Sequence, residues 1–509
     1  MTSSSRSAGA RSRRLLALTF VICPVLAACG TRVADSRFTA LLSQDRSVVV
    51  GPQDTTGSAP VLAAPTGVAA SPGGQPAAVR AAAPVGVASR AAGVTAPSPA
   101  TVRVSAPTAG GTRSTAPGTA PTTSAPSSAP VAGATCTTQG APLVLGQTGV
   151  YSGFLAPILG GFRPGLAAWA QQVNAAGGLY CHHVQLYQED DGGDPSKVSS
   201  NARDLLETKH AQALVGVTIP IAIAALRSVV DQAKVPVVGG DLVADDWNQD
   251  PYLFTEGSAG IVDLVGSVKS LVKATGKTRL GILYCVEASI CQAIKKSADA
   301  GVVASQTGAQ PVFTQSISLT QTGFTSECQN AKDAGVQVMF LALDGSAMER
   351  FYRDCRSIGF NPPAASIGVA VGPDAAADPL VQGAGGIYLG STNLPYVSTG
   401  TSGAVAYHAA MARYAPGVKP DESSMAAYAS GKLLEAALAT VSAQALAGPI
   451  TTAMILQGLG QVKNQTLGGL SVPLTFTPGQ PSPMTKCYFV IKIDTAGVTS
   501  PDGTSPACL

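Results

Sequence analysis

The stretch that decides the fold runs from Val173 to Gly240 and reads VNAAGGLYCHHVQLYQEDDGGDPSKVSSNARDLLETKHAQALVGVTIPIAIAALRSVVDQAKVPVVGG. Near its start stands the glycine pair Gly177–Gly178, a combination that commonly ends a helix. The residues at 183–191 then alternate apolar and polar side chains, which indicates a strand. The first feature that this stretch predicts is therefore a helix end followed directly by a strand.

A capped helix and two further strands follow in the same stretch. Asp194 stands before Pro195, and an aspartate N-cap with proline at the first helical position is a common helix start. The helix carries one apolar stripe, formed by Val198, Ala202, Leu205 and Leu206. The apolar runs 211–217 and 235–240 lack alternation, as expected of strands that helices cover on both faces. The pattern predicts a βαβαβ unit with a parallel sheet and right-handed crossovers.

The order of these features resembles a known family, the leucine-binding type I periplasmic proteins, which are the amino-acid-type solute-binding proteins of ABC importers. The resemblance rests on N-A-A-G-G, V-x-L-x-x-x-D-D-x-x-D-P from Val184, A-x-x-x-V-G from Ala211 and V-P-V-V from Val235. It covers most of the chain from Leu143 onward. It implies an α/β fold of two doubly wound parallel-sheet lobes, the type I periplasmic-binding-protein fold, joined by three crossing strands.

The rest of the chain divides between the two lobes. The predicted boundaries are 136–256 plus 393–464 for lobe one and 257–392 plus 465–509 for lobe two. RLGILYC at 279–285 starts a second βαβ series, which belongs to lobe two. Near the end of the chain, 470–479 and 486–493 are predicted as terminal strands, the latter returning to lobe two.

Residues 1–28 have the pattern of a lipoprotein signal peptide. Arginines precede an apolar run at 15–28 that is too short to span a bilayer as a permanent helix. The tetrad Leu26-Ala27-Ala28-Cys29 resembles a bacterial lipobox, in which Cys29 is acylated and becomes the mature amino terminus. An ordinary signal peptide with a coincidental cysteine is the alternative. The export route, Sec or twin-arginine, stays open.

Residues 29–135 are rich in Ala, Pro, Ser, Thr and Gly. Such a segment cannot bury enough apolar area to offset the entropy of its chain, so a disordered tether is predicted. A flexible chain of this length has a reach of roughly 50–60 Å. The sequence thus predicts an extracytoplasmic domain that a lipidated cysteine anchors to the outer face of the cell membrane.

Eight cysteines remain once Cys23 in the signal and the lipidated Cys29 are set aside. Cys136 and Cys181 precede the first two predicted strands, and neighbouring parallel strands start at the same sheet edge. This pair is therefore predicted to form a disulfide. The nearest pairings for the others are Cys285 with Cys291, Cys328 with Cys355, and Cys487 with Cys508. A zinc site is the alternative, but no C-x-x-C or paired His/Cys spacing is present.

Other function classes find little support in the sequence. The formal net charge is +3 and 12% of the residues are charged, so no basic patch for nucleic acid stands out. Gly276-Lys277-Thr278 precedes a strand instead of opening a helix, which argues against a P-loop. His182 and His183 are adjacent and would point to opposite faces of a strand, so they cannot chelate one metal together. No enzyme activity, cofactor or metal site is predicted.

Ligands of open parallel sheets bind beyond the carboxyl ends of the strands. Five loops occupy that position: 151–153, 216–220, 240–243, 344–346 and 370–374. Tyr428 is added because it resembles a tyrosine of the family. The predicted ligand-binding residues are Tyr151, Ser152, Thr218, Ile219, Asp241, Leu242, Asp344, Gly345 and Tyr428.

The sequence departs from the family where the ligand carboxylate would bind. The resemblance implies serine and threonine hydroxyls and backbone N–H groups at that place, and an acidic residue of lobe two for the ligand ammonium. The matching positions hold Pro220, Val243 and Ala370, although Thr218 can substitute for the serine. Asp241 beside this cradle would repel a carboxylate. We therefore hypothesise that the ligand is not an ordinary branched-chain amino acid.

Asp241 and the neighbouring Trp247 each have two interpretations. In one interpretation Asp241, or Asp344 in lobe two, binds an amine or hydroxyl group of the ligand. In the other, Asp241 caps a turn. Trp247 stacks on a flat or apolar ligand, or else it is a core residue. The sequence alone does not decide between them.

The resulting functional prediction is a lipid-anchored solute-binding protein. It captures a small polar ligand, amino-acid-like or related, between its lobes and delivers it to the permease and ATPase subunits of an ABC importer. The alternative is a ligand-sensing receptor, or a ligand-free cell-envelope lipoprotein that uses the same fold without transport. Neither the ligand nor the oligomeric state follows from the sequence.

Overall fold

A five-stranded parallel sheet forms the centre of the first lobe in the computed structural model, which describes Cys136 and residues 138–509. Its strands are β1 (Leu143–Gly149), β2 (Val184–Asp190), β3 (Ala213–Val217), β4 (Val237–Gly240) and β5 (Leu253–Phe254). They lie in the order β2-β1-β3-β4-β5, and every neighbouring pair is parallel. The predicted signal peptide, the lipidated Cys29 and nearly all of the predicted tether lie outside the described residues.

Four helices follow these strands along the chain: α1 (Ala156–Leu159), α2 (Phe162–Ala175), α3 (Pro195–Arg203) and α4 (Ile223–Ala233). The predicted cap of α3 is present, since the Asp194 carboxylate accepts hydrogen bonds from the backbone N–H groups of Ser196 and Lys197. The helix then continues as a π-turn at Asp204–Thr208. Strands β3 and β4 are buried at every residue, as their unbroken apolar sequences predict.

Lobe two repeats the strand order of lobe one. Its parallel strands are β6 (Arg279–Cys285), β7 (Gln310–Ile317), β8 (Val338–Leu341), β9 (Ala364–Ile367) and β10 (Ile387–Ser391), and they lie in the order β7-β6-β8-β9-β10. Its helices are α5 (Gly260–Thr275), α6 (Ser289–Asp299), α7 (Val302–Thr307), α8 (Thr325–Asp333), α9 (Gly345–Ser357), α10 (Pro373–Ala377) and α11 (Pro379–Gln382). In each lobe the first strand therefore lies between the second and the third. The chain adds its second strand on one side of the first and the remaining parallel strands on the other side.

After β10 the chain returns to lobe one and forms α12 (Ser402–Tyr414), α13 (Glu422–Thr440), α14 (Ser442–Ala447) and α15 (Thr452–Gln461). Helix α13 packs closely along α2 at two glycines. A Cβ on Gly165 would lie 2.4 Å from the Ser424 carbonyl oxygen, and one on Gly431 would lie 2.2 Å from the Trp169 ring. Larger residues at either position would push the two helices apart.

The chain ends in lobe two with β11 (Cys487–Asp494), β12 (Gly497–Thr499) and β13 (Ala507–Cys508). Strand β11 runs antiparallel to β10, which makes this sheet mixed. The prediction of a strand at 470–479 is wrong, because that segment makes only two isolated bridges. Pro473 and Pro478 lack the N–H groups that a ladder requires.

Three segments cross between the lobes, at 255–259, 392–401 and 475–486, and hydrogen bonds tie them together. The Ser258 N–H donates to the Thr392 carbonyl at 3.1 Å, and the Asn393 amide donates to the Glu256 carbonyl at 3.1 Å. The Ser482 hydroxyl donates to the Leu253 carbonyl at 2.9 Å. The fold is thus the predicted α/β one, while the lobe boundaries given above stay predictions.

Four disulfides are present among the described residues, and they join the predicted pairs. Cys136–Cys181 links the starts of β1 and β2, and Cys487–Cys508 joins residues paired across β11 and β13. The other two, both in lobe two, are Cys285–Cys291 and Cys328–Cys355. Among the described residues, no helix is long and apolar enough to cross a membrane.

Candidate ligand-binding cleft

A cleft lies between the two lobes, beyond the carboxyl ends of both sheets, and encloses about 700 Å³, counting space open to solvent. Lobe one contributes Phe154, Leu155, Ile158, Leu159, Pro220, Ile221 and Val243. Lobe two contributes Leu264, Cys285, Glu287, Ala288, Ile290, Cys291, Leu319, Phe340, Ala342, Leu343, Asp344, Ile367, Val369 and Ala370.

The lining of the cleft is almost entirely apolar. Two of its residues are charged, Glu287 and Asp344, and both are acidic and belong to lobe two. At the lip, the Phe154 side chain is 50% exposed, an unusual fraction for a large apolar residue. This composition favours a ligand with an apolar body.

Asp344 is the predicted site residue that lines the cleft. Its Oδ1 accepts hydrogen bonds from the Ser346 N–H at 3.0 Å, the Ser346 hydroxyl at 2.7 Å and the Ala347 N–H at 3.2 Å, so it also caps α9. The adjacent Gly345 has a packing role, because a Cβ there would lie 2.6 Å from Cβ of Ala375.

Glu287 is a lining residue that the sequence-based prediction missed. It follows the carboxyl end of β6, a position that the strand-end rule indicates for any parallel strand. Its Oε1 accepts from the Ser318 hydroxyl at 2.6 Å and from the Leu319 N–H at 2.9 Å. At the rim, Arg350 donates to the carbonyls of Leu319 and Gln321. The Arg350 side chain is therefore held by backbone carbonyls.

Asp241 is buried beneath the lobe-one wall and does not line the cleft. Its Oδ2 accepts from the Ile219 N–H at 2.6 Å and its Oδ1 from the Val243 N–H at 2.9 Å. Burial raises the pKa of this carboxyl to about 6, although the two N–H donors oppose the shift. The structure thus gives Asp241 the turn-capping role, and Trp247, fully buried, is a core residue.

The remaining predicted residues of lobe one lie after the ends of β1, β3 and β4, except Tyr428 on α13. Ser152 is exposed, whereas Ile219 and Leu242 are buried. The hydroxyls of Tyr151 and Thr218 are buried and have no hydrogen-bond partner in the described structure. Burial of the Tyr151 hydroxyl raises its pKa well above the ordinary value. None of these side chains is part of the cleft lining described above.

Tyr428 lies in the lobe-one core, away from the cleft lining. Its hydroxyl donates to the Gln172 side chain at 2.6 Å, and its ring meets Tyr407 edge-on at 5.5 Å. The resemblance that placed this tyrosine in the site is therefore not supported by its surroundings. Its physical role is to pack α13 against α2.

The lobes touch beside the cleft. A Cβ on Gly372, which precedes α10 in lobe two, would lie 2.4 Å from the carbonyl oxygen of Pro157 in lobe one. An exposed ion pair, Lys419 with Asp374 at 2.9 Å, spans the same side. Any larger residue at position 372 would hold the lobes apart.

Buried carboxyl groups lie where the segments cross. The Ser391 hydroxyl donates to Glu422, and the Ser258 hydroxyl donates to Asp263. Burial raises the pKa of Glu422 to about 8 and the pKa values of Glu256 and Asp263 well above their ordinary range. Within the described residues, no group of three His, Cys, Asp or Glu side chains is arranged to hold a metal ion.

Two α/β lobes of equal strand order around a shared cleft define a two-lobed binding protein. The family model described as "Periplasmic binding protein" matches residues 142–498, so the chain belongs to that family of ligand-binding, non-enzymatic, extracytoplasmic proteins. A comparison with curated proteins found no match.

Several solved structures share the fold at low sequence identity. A possible leucine/isoleucine/valine-binding protein from Rhodopirellula baltica SH 1 is similar at a TM-score of 0.61 and 17% identity, over 71% of this chain and 96% of that one. A solute-binding protein of an ABC transporter from R. palustris, in complex with benzoate, gives 0.58 and 16%, over 72% and 97%. The branched-chain amino acid binding protein from Streptococcus pneumoniae, in complex with isoleucine, gives 0.57 and 17%, over 72% and 99%.

Proposed function

We propose that this protein is a lipid-anchored solute-binding protein that captures a small ligand between its lobes and delivers it to the permease of an ABC importer, which an ATPase drives. The observation that carries the proposal is the cleft itself, because both lobes supply its walls at the carboxyl ends of their strands. A ligand that contacts both walls stabilises the arrangement in which the lobes meet. Relatives with this fold are the substrate-binding proteins of ABC transporters, which supports the role in import.

The neighbours' ligands support the small size of the solute. One similar structure holds benzoate and another holds isoleucine. Both are compact molecules with an apolar part, and the lining of the cleft here is apolar. The apolar wall residues of this chain favour the same kind of body.

A thermal-shift screen of the full-length chain, freed of bound ligand, tests the proposal. The screen covers amino acids, amines, alcohols and carboxylates with aliphatic or aromatic bodies. A ligand at a hundredfold its dissociation constant adds about 2.7 kcal/mol to the free energy of unfolding. We expect at least one class to raise the melting temperature. No shift from any class would contradict ligand capture and favour a ligand-free role in the cell envelope.

The anchor has a separate test. Cys29→Ala removes the thiol that the lipobox pattern assigns to acylation. We expect the variant to leave the membrane fraction of cells that export it, while the unchanged protein stays there. Membrane retention of the variant would contradict the lipid anchor without affecting the ligand-binding proposal.

A further inference from the structure

We propose that the cleft takes an uncharged solute with an apolar body and discriminates against ligands with a charged head of either sign. This inference rests on the proposed function, since it names the chemical class of the solute. The two similar structures described above hold benzoate and isoleucine, which both carry a carboxylate. The walls of this cleft favour a different class, because their polar groups are bound to other groups of the protein.

The first step concerns the surface that a ligand would meet. Although Glu287 and Asp344 belong to the lining, the surface that the lining residues present to the cleft is entirely apolar. The oxygen atoms of both carboxylates are therefore covered. A charged head that leaves water needs an opposite charge or convergent hydrogen bonds. The cleft surface supplies neither, whereas apolar-lined cavities bind uncharged apolar molecules.

The second step explains why Glu287 does not act as a ligand-binding group. Its Oε1 accepts from the Ser318 hydroxyl at 2.6 Å and from the Leu319 N–H at 2.9 Å. Its Oε2 accepts from the Val286 N–H at 3.1 Å. Both oxygens are thus used to hold the loops after β6 and β7 together, and a ligand cation would have to compete with these bonds.

The third step concerns Asp344 and the arginine next to it. The Ser346 hydroxyl donates to Oδ1 of Asp344 at 2.7 Å and accepts from Nη1 of Arg350 at 3.2 Å. The serine therefore links a negative and a positive group, and each charge offsets the other toward a ligand. Neither an anionic nor a cationic head gains a clear advantage from this pair.

The backbone of the walls is also satisfied. In lobe one, Pro220 has no N–H, and the N–H of Val243 donates to Asp241 beneath the wall. In lobe two, the Leu319 carbonyl accepts from Arg350 at 2.8 Å. These backbone groups do not supply the hydrogen bonds that a ligand head would need.

The lip of the cleft is apolar on both lobes. Four large apolar side chains in the described part of the chain are exposed, and two of them, Phe154 and Val286, lie here. Phe154 of lobe one lines the cleft together with Leu319. Val286 of lobe two is 58% exposed, and its N–H donates to the Ile317 carbonyl at 3.1 Å, two residues before Leu319. An apolar solute thus meets apolar side chains before it enters.

A polar recess beside the cleft limits how polar the solute can be. Thr320, Gln321, Thr322, Ser346 and Arg350 are among its lining residues, and it shares Phe154, Leu319 and Asp344 with the cleft. Hydroxyl and amide groups there can bond an uncharged hydroxyl of a ligand whose body lies in the cleft. The class that fits both spaces is an apolar molecule that carries at most a small uncharged polar group.

Matched ligands that share one body test the inference directly. Benzyl alcohol, benzylamine and benzoate form one set, and isopentanol, isopentylamine and 4-methylpentanoate form another. Titration calorimetry of the ligand-free full chain at neutral pH measures each affinity. We expect the alcohol to bind at least about tenfold more tightly than both charged members of its set. Equal or tighter binding of a charged member would overturn the inference and leave the proposed function standing, whereas no binding in either set would overturn both.

Two substitutions test the apolar walls with toluene as the probe. Val243→Thr on lobe one and Val369→Thr on lobe two each keep the shape of the side chain and add a hydroxyl to the lining. We expect each to weaken toluene binding about tenfold, because the new hydroxyl loses water when toluene binds. Val405→Thr, at an exposed valine on α12, is the matched control and should leave the affinity within about twofold. Toluene affinity that is unchanged in both wall variants, or that falls equally in the control, would overturn the assignment.

Discussion

The two lobes share one strand order but secure their strand-end loops by different means. In lobe one, buried carboxylates accept backbone N–H groups: Asp191 binds Gly193 at 2.9 Å, and Asp241 binds the loops that follow β3 and β4. Lobe two has carboxylates of this kind as well, Asp344 and Glu287, but it adds disulfides. Cys285–Cys291 joins the end of β6 to α6, and Cys328–Cys355 joins α8 to α9.

This difference shows that strand order fixes where a cleft forms, while the loops fix what it binds and which conditions it tolerates. The carboxylates of lobe one accept hydrogen bonds from the backbone beneath the wall, and the wall that lobe one contributes to the cleft is apolar. They also make that lobe sensitive to pH, since their ionisation is linked to folding. Disulfides add sensitivity to reduction, and three of the four described above lie in lobe two.

The two tryptophans of the chain allow the lobes to be followed separately. Trp169 belongs to α2 and Trp247 to the turn after β4, so both report on lobe one. Both are fully buried and will change emission on unfolding. Far-ultraviolet circular dichroism reports on both lobes together. A transition seen by dichroism alone therefore belongs to lobe two.

The largest predicted effect is a loss of lobe-one stability as the pH rises from 5 to 8. Burial raises the pKa values of Asp191 and Asp241 to about 6 and that of Glu422 to about 8. The folded state therefore holds protons that the unfolded state releases, and raising the pH favours unfolding. The loss is on the order of 5 kcal/mol, at about 1.4 kcal/mol per unit of pKa shift. Urea unfolding followed by tryptophan emission measures it.

The variant Glu422→Gln provides the control for this pH profile. Its amide oxygen can still accept from the Ser391 hydroxyl, but it has no proton to lose. We expect the dependence between pH 6 and 8 to become flatter. Stability that rises with pH over this range in the unchanged protein would contradict the burial argument.

The next effect concerns the disulfide between α8 and α9. Replacing both Cys328 and Cys355 by alanine opens a loop of 27 residues. A cross-link of this span contributes about 3–4 kcal/mol by the loop-entropy argument. We expect dichroism to show an earlier transition that tryptophan emission does not.

The matched control is the loss of the lobe-one disulfide. Replacing Cys136 and Cys181 by alanine should move the emission transition instead. If both probes move together in both variants, the crossing segments couple the lobes into one folding unit. The contrast between the lobes would then hold for their chemistry and not for their stability.

A smaller effect is expected where the lobes touch. Gly372→Ala introduces a Cβ that would lie 2.4 Å from the Pro157 carbonyl oxygen, so the lobes must separate slightly. We expect ligand affinity to fall about tenfold, which is about 1.4 kcal/mol, with little change in the melting temperature without ligand. Gly417→Ala is the control, since a Cβ there meets nothing within 4 Å. Unchanged affinity of the Gly372 variant would show that ligand capture does not need this contact.

The smallest effect should come from the ion pair at the same side. Lys419 and Asp374 are 70% and 92% exposed, and exposed pairs contribute about 0–1 kcal/mol. We expect Lys419→Ala to leave both affinity and stability within error at physiological salt. A clear loss would mean that charge, and not close packing, holds the lobes together.

Much of the fold was predictable because its signals are local. Strands β1 and β6 have the bounds that the sequence predicted, 143–149 and 279–285, and the Asp194 cap starts α3 as expected. The cysteine pairings also followed from short separations and from the shared edge of parallel strands. The strand predicted at 470–479 is absent because its two prolines lack the N–H groups of a ladder, although the segment also has β-branched and aromatic residues.

The cleft was less predictable, since side-chain direction depends on the neighbouring loops. The strand-end rule indicated loops that include Pro220, Val243, Asp344 and Ala370 of the cleft lining. It could not show that Asp241 turns inward to accept from Ile219 and Val243. It would have found Glu287 if applied to the end of β6. Tyr428 was assigned by resemblance alone, and its hydroxyl is bound to Gln172 in the core.

The pairing of the cysteines has a consequence for biosynthesis. The eight cysteines in the described part of the chain pair in sequence order, each with its nearest neighbour along the chain. The separations are 45, 6, 27 and 21 residues, and no pair among these interleaves with another. A chain that entered an oxidising compartment amino end first could thus form each bond as its second cysteine emerged. Oxidation in order of emergence would give the native set without reshuffling, so maturation should not require a disulfide isomerase.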